Sequence, residues 1–280
     1  MEVRSIFRPA LSAGVRLVFR GFHKTSYCSM CCYKSASSAV LQRKSLAESR
    51  AVRFVSPYRK SYITGWTPGI KSDHRSAWCS VTQEVEIKLR LAGSDDYDAV
   101  AAALAPAWKQ DHQQENYFFD GAEGELSKEL AILRCRFYDT DKKAVLTVKG
   151  KMKIKDGVGR APEVEEEVDP AEARGFLSSP EALAGHGCKL MEDCRSNFGF
   201  KSLVCLGGFR NLRREFDWEG HLLELDKTTY EHGTLYEVEV ETENPAELQV
   251  KLEEFLRASG VSFSHSTTSK FANFRNKTLE

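Results

Sequence analysis

The chain has 280 residues, 41% of them hydrophobic, which is enough to bury the core of one or two domains and leaves no apolar run long enough to span a membrane. Its formal net charge of zero conceals a split: residues 1–80 carry 14 Lys and Arg against 3 Asp and Glu, so residues 81–280 carry an excess of 11 acids. A body of that balance repels a long polyanion except at a local patch, which argues against nucleic acid as its ligand.

The first stretch, "MEVRSIFRPALSAGVRLVFRGFHK", sets Arg4, Arg8, Arg16 and Arg20 among apolar residues at roughly helical spacing, and fourteen serines lie within residues 1–80. Arg-rich, Ser-rich and acid-poor composition predicts an organelle transit peptide, hence a mitochondrial or chloroplast protein, and otherwise a cytoplasmic one. A disordered basic tail, or an upstream stretch that is not translated, has the same composition. "CSMCC" (Cys28, Cys31, Cys32) has zinc-like spacing, but no second pair or His follows at ligand distance. The eight cysteines read as free thiols of a reducing compartment.

The body opens on a strand, "QEVEIKLRL", with Glu84, Glu86, Lys88 and Arg90 on one face and Val85, Ile87, Leu89 and Leu91 on the other. "SDDYDAVAAALAPAWKQ" predicts a helix capped by Ser94 or Asp95, with Pro106 near its end. "ENYFFDG" is a short strand closing on a turn at Asp120-Gly121. "ELAILRCRFYDT" and "KAVLTVKGKMKIKDG" are two β-runs joined by a hairpin, and "RAPEVEEEV" continues extended, its Pro162 marking an edge or a strand start. Residues 170–199 read as helical with Gly, Ser and Pro breaks, and residues 202–244 as a β-meander with turns at "WEGH" and "YEHGT". "NPAELQVKLEEFLRASG" is a helix with Asn244 as cap and Gly260 at its end, followed by a short extended tail. The sum is α+β: about eight antiparallel strands with several helices.

The opening pattern recurs. Arg134 and Arg136 alternate with apolar residues, and Lys149, Lys151 and Lys153 share a face; so do Glu163, Glu165 and Glu167, Glu224 and Asp226, and Glu237, Glu239 and Glu241. An ordinary antiparallel sheet also has a wet, charged face. Here, however, the signs are segregated by strand, where a solubilising surface intersperses them. At least three amphipathic helices also need an apolar surface to cover. If they cover the Val, Ile and Leu faces, the charged faces point inward, and a sheet of about eight strands closes into a barrel. Charge inside a barrel is costly unless a ligand compensates it. Basic strands need a multivalent anion, and acidic strands need hard divalent cations such as Mg²⁺ or Mn²⁺. The combination implies a polyphosphate.

These residues resemble the CYTH domain superfamily, the triphosphate tunnel metalloenzymes. "EVEIK" matches the E-x-E-x-K signature, and "NYFFDG", "LRCRF", "LTVKGK", "RAPEVEEEV", "CLGGFRNLR", "LELDKTTY", "YEVEVETE" and "SKFANF" follow in order over residues 84–275, closest to the plant tripolyphosphatase branch. The resemblance implies a closed eight-stranded antiparallel β-barrel with covering helices, whose tunnel takes a triphosphate end-on. It implies that Glu84 and Glu86 hold a divalent metal with Glu239, and Asp226 on a further tunnel strand joins that set. It places Lys88, Arg134, Arg136, Lys149, Lys151 and Arg213 on phosphates. Glu163, Glu165, Glu167, Glu241 and Lys270 form the catalytic set, holding a second metal, the attacking water or the phosphate. Gly121 stands where relatives often carry Thr, and the proline in "RAPEVEEEV" leaves open whether Glu165 or Glu166 points inward.

The activity implied is metal-dependent hydrolysis of inorganic tripolyphosphate, or of an organic triphosphate such as ATP or thiamine triphosphate, by a monomer. Alternatives are a binding module that has lost turnover, a nucleic-acid-binding barrel using "RCRF" and "KGKMKIK", and an adenylyl cyclase. The body histidines are scattered and read as surface or loop residues.

Overall fold

A computed structural model describes residues 82–280; the expectations for the leader, its cysteines and its destination lie outside the described residues. In chain order the elements are β1 (Thr82–Leu91), α1 (Ser94–Leu104), β2 (Trp108–Gly121), α2 (Glu125–Lys128), β3 (Ile132–Tyr138), β4 (Lys143–Lys149), β5 (Lys153–Lys155) and β6 (Val158–Val168). There follow α3 (Pro170–Ser178), α4 (Pro180–Ala184), α5 (Lys189–Phe198), β7 (Leu203–Trp218), β8 (His221–Tyr230), β9 (Gly233–Glu241), α6 (Pro245–Ala258), β10 (Phe263–His265) and α7 (Lys270–Asn276).

The strands pair antiparallel in the order β1-β9-β8-β7-β2-β3-β4-β6, and β6 pairs back onto β1, so eight strands form a closed barrel as expected. β5 and β10 extend the edges that β6 and β1 leave open. Closure removes free strand edges and forces alternate side chains either into the lumen or out to the helices.

The outward faces are apolar and covered in two places. Leu133, Cys135, Phe137, Leu146 and Val148 of β3 and β4 pack under Phe176, Leu183, Leu190 and Met191 of α3, α4 and α5. Ile87, Leu89, Leu223, Leu225, Val238 and Val240 of β1, β8 and β9 pack under Val100, Leu104, Leu248, Leu252 and Leu256 of α1 and α6. A third cluster joins Phe118, Phe209, Tyr230 and Leu235 to Phe271 and Phe274 of α7, and its Phe118, Phe209 and Phe271 line the lumen. Among the described residues no helix is long and apolar enough to cross a membrane.

Four local expectations are corrected. The helix α1 ends at Leu104, and Trp108 already begins β2, because Pro106 follows at a helix end and the polar "WKQDHQQ" pairs with β7 over its length. Ser94 is the first residue of α1 rather than its cap; Gly93 occupies the cap position. The β-run after Ala144 breaks at Gly150, separating β4 from the three-residue β5. The tail is not simply extended: Ser269 caps α7 by accepting a hydrogen bond from the Ala272 amide at 3.2 Å.

A charged tunnel as the candidate active site

The lumen is a cavity of about 300 Å³. It is lined by Glu84, Glu86 and Lys88 of β1, Gln114 and Asn116 of β2, Arg134 and Arg136 of β3, Lys149 of β4, and Glu163 and Glu165 of β6. Asn211 and Arg213 of β7, Glu224 of β8, Glu239 and Glu241 of β9 and Lys270 of α7 complete the polar wall. Apart from Lys270, which α7 supplies, each lies at an alternate position of its strand, so period-two alternation is the cause of the strand lining. The charged face of "QEVEIKLRL" therefore meets the lumen, and Arg90 on that face is buried as well.

Opposite signs are paired inside. Lys88 Nζ stands 2.9 Å from Glu86 and 2.5 Å from Glu239. Lys149 Nζ stands 2.6 Å from Glu84 and 3.4 Å from Glu163. Arg134 lies 3.4 Å from Glu165 and 3.7 Å from Glu163, and donates to Thr147 at 3.0 Å. Arg136 donates to Asn116 at 2.8 Å and to the Tyr138 hydroxyl at 3.2 Å. Arg213 pairs with Glu224, and with Glu239 at 2.9 Å. Lys270 pairs with Glu239, and with Asp226 at 3.0 Å and Glu237 at 3.1 Å.

The electrostatics divide the carboxylates into two sorts. Burial pushes Glu86 up to about 7, with the Glu84 charge adding to it and Lys88 opposing it. Burial likewise raises Glu163 to about 7 against the pull of Lys149, and Glu224 to about 8 against the pull of Arg213. Burial also opposes ionisation of Glu239, but Lys270, Lys88 and Arg213 outweigh it and hold the carboxyl well below the usual range. Burial opposes ionisation of Glu84 too, and Lys149 outweighs it.

The tunnel brings together thirteen of the fifteen sequence-predicted residues or places them directly beside it. Two are not assembled. Lys151 is exposed, in the connection after Gly150, because β4 ends at Lys149 and the alternation stops with it. Glu167 is exposed, 3.4 Å from Lys143, since its place on β6 lies opposite Val145 near the strand end. Asp226 is fully buried and does not reach the cavity; Arg213 grips both its oxygens, Nε at 2.8 Å and Nη2 at 2.5 Å. Expected as a metal ligand, it partners Arg213 and Lys270 in this structure. The doubt on β6 resolves toward Glu165, which faces Arg134 and Thr147, while Glu166 turns outward and accepts the Leu190 amide at 2.7 Å.

Sequence reasoning missed the neutral lining. Gln114, Asn116 and Asn211 occupy the same alternation, but uncharged residues carry no sign to follow. It also took His112 for a surface residue. His112 is on β2 and part-buried, its Nδ1 2.8 Å from Asp139 and its Nε2 3.6 Å from Glu215. Gly121 follows Asp120, whose carboxylate accepts from the Leu126 amide in the first turn of α2 at 3.0 Å, so that turn serves the fold.

Metal fit rests on the donor set. Glu84 and Glu86 stand at i and i+2 on one strand, Glu241 is the cross-strand partner of Glu86, and Glu86 Oε1 is buried with no hydrogen-bond partner. An orphaned carboxylate oxygen among other carboxylates suits a hard cation. Among the described residues no three such groups yet stand at ligand distance; the tunnel amines hold the carboxylates apart.

A closed antiparallel barrel with a lumen lined by both signs of charge defines the architectural class, a charged-tunnel barrel. The CYTH domain profile matches residues 82–272, and the chain belongs to the CYTH domain family. A Hippeastrum protein, HpAC1, described as an adenylyl cyclase candidate with a dominant triphosphatase activity, is 39% identical, with 70% of this chain and 97% of that one covered and a TM-score of 0.68. An adenylate cyclase candidate from Bacillus halodurans is 22% identical, with 69% and 98% covered and a TM-score of 0.53, a likeness of fold. Among curated proteins the comparison finds no match.

Proposed function

We propose that the chain is a metal-dependent triphosphatase that hydrolyses inorganic tripolyphosphate, with ATP and thiamine triphosphate as further candidate substrates. The observation that carries this reading is the lumen itself. Six cations, Lys88, Arg134, Arg136, Lys149, Arg213 and Lys270, face a cavity that also holds Glu84 and Glu86 at adjacent inward positions. The triphosphatase activity described for the Hippeastrum relative supports it.

Arg134 and Arg136 offer planar donor forks to phosphate oxygens, and Lys88, Lys149 and Lys270 offer mobile point charges. Mg²⁺ or Mn²⁺, held by Glu84 and Glu86 with Glu239 and Glu241 beside them, would neutralise phosphate charge and polarise a water. Glu163, whose carboxyl burial raises to about 7, and Glu165 beside it would take the proton of an attacking water. No covalent nucleophile is required. The partner is then a small anion, and the protein acts as a monomer.

Glu84→Gln combined with Glu86→Gln in the full chain tests this. Phosphate release from tripolyphosphate is expected to fall by at least ~100-fold with the melting temperature retained; unchanged release refutes the metal assignment. A cyclase reading rests on the description of the Hippeastrum protein and is separated by the product, since a cyclase releases pyrophosphate from ATP where a triphosphatase releases phosphate.

A further inference from the structure

The inward face of β9 carries three glutamates, but only two of them reach the cavity. Glu239 and Glu241 line it, and Glu237 does not. Glu237 is 1% exposed and held from three sides. Its Oε1 accepts from Arg90 Nη2 at 3.0 Å and from the Ser266 hydroxyl at 2.9 Å, and its Oε2 stands 3.1 Å from Lys270 Nζ. Arg90 and Ser266 are also buried and also absent from the cavity wall. Ser266 donates its amide to the Lys88 carbonyl at 3.1 Å, so the segment leading into α7 is tied to β1 at the residue whose side chain is the tunnel cation Lys88. Four residues later α7 begins with Lys270, whose ammonium enters the lumen.

The arrangement is expensive as a structural device alone. Arg90 keeps Nε and Nη1 buried without a partner, and replacing such a buried pair by apolar residues commonly leaves stability unchanged or improved. Its effect on Lys270 supplies the missing explanation. Lys270 has a long flexible stem and three buried carboxylates to choose among, Asp226, Glu237 and Glu239. Asp226 and Glu239 are both held by Arg213, whereas Glu237 is held by Arg90 and by Ser266 of the segment leading into α7, so a fixed Glu237 ties the depth of the ammonium to the seat of that helix.

We propose that Arg90 is a positioning residue: by fixing Glu237 it sets Lys270 Nζ at one depth in the lumen and seats α7 against the barrel. This rests on the reading of Lys270 as a contact for the bound triphosphate. Arg90 touches no substrate in this account; it acts through Glu237.

Arg90→Gln, Arg90→Lys and Glu237→Gln in the full chain test it, with two readouts. The first is amide hydrogen exchange, which is independent of activity. Residues 270–276 are expected to exchange about tenfold faster in Arg90→Gln, with β3, β4 and β7 unchanged. The second is steady-state kinetics with tripolyphosphate. Loss of one well-placed charged contact predicts a kcat/KM about tenfold lower, carried chiefly by KM, and partly restored in Arg90→Lys. Glu237→Gln, which keeps size and shape, is expected to show the same local exchange and provides the readout if Arg90→Gln does not fold. Exchange that is unchanged at 270–276, or raised equally across the barrel, overturns the proposal. An inactive wild-type protein would refute the triphosphatase reading alone, and the exchange result would still decide the fate of Arg90.

Discussion

Glu86, Glu163 and Glu224 are three carboxyls whose proton affinity burial raises toward neutrality. Each binds its proton more tightly in the folded chain than in the unfolded one. Their contribution to stability is therefore fully present below about pH 4.5 and is lost as pH rises through about 7 to 8. A cation must displace those protons, so Mg²⁺ or Mn²⁺ is expected to bind more tightly at pH 8.5 than at pH 6.5. Calorimetry in buffers of different ionisation enthalpy should register proton release at the lower pH and less at the higher; equal release would contradict the account. Most of these residues were legible in the sequence, because strict alternation fixes which side chains share a face. Lys151 escaped the pattern because alternation positions a residue only as far as the strand runs, and β4 stops at Lys149; Glu167 keeps the alternation on β6 but lies near the strand end, exposed beside Lys143. Arg90 lay outside the matched signature, and only the 3.0 Å contact with Glu237 shows where it belongs.

At the level of the element, the pair β2–β7 depends on a close backbone approach. The register shifts between Phe118 and Phe119, and Gly207 adopts a positive φ of 88° at that bulge. The next residue, Gly208, lies so near β2 that a Cβ there would sit 1.8 Å from the Asn116 carbonyl oxygen. Gly208→Ala is expected to cost about 3 kcal/mol or more, measured by urea unfolding, because a strand has to move. Gly175 in the middle of α3 is the contrast: nothing lies within 4 Å of a Cβ there, and Gly175→Ala should stabilise by about 0.5–1 kcal/mol. The longer elements were readable from period and caps, α6 with Asn244 and Pro245 among them. The polar first half of β2 was not, because "WKQDHQQ" has no apolar alternation and becomes a strand only by pairing with β7. The helix α7 was missed for its brevity, although its Ser269 cap and the Phe271–Phe274 spacing were in the sequence.

Over the whole molecule, the barrel sets an apolar exterior under its helices against a charged lumen. This inverts the usual placement of charge in a small domain. Such an interior is stable only while each charge has a partner. Arg213→Met leaves Asp226, Glu224 and Glu239 without their guanidinium, and should cost about 3–5 kcal/mol by urea unfolding at pH 7. By the same reasoning, a ligand that brings its own charges should stabilise the fold. Tripolyphosphate with Mg²⁺ at about a hundred times its Kd should add about 2.7 kcal/mol, and a chelator should remove that gain. The fold class followed from sign segregation by strand, which no solvent-facing sheet requires. The substrate did not follow, because a tunnel built for a triphosphate contacts the feature that all its candidates share.

Phosphate release from tripolyphosphate by the full chain, with Mg²⁺ or Mn²⁺ and with excess chelator, is the most direct test. The account predicts steady release with metal, at least ~100-fold slower release with chelator, and a slower or comparable reaction with ATP. Release that is absent from every triphosphate with metal present, or that proceeds unchanged in chelator, would contradict it.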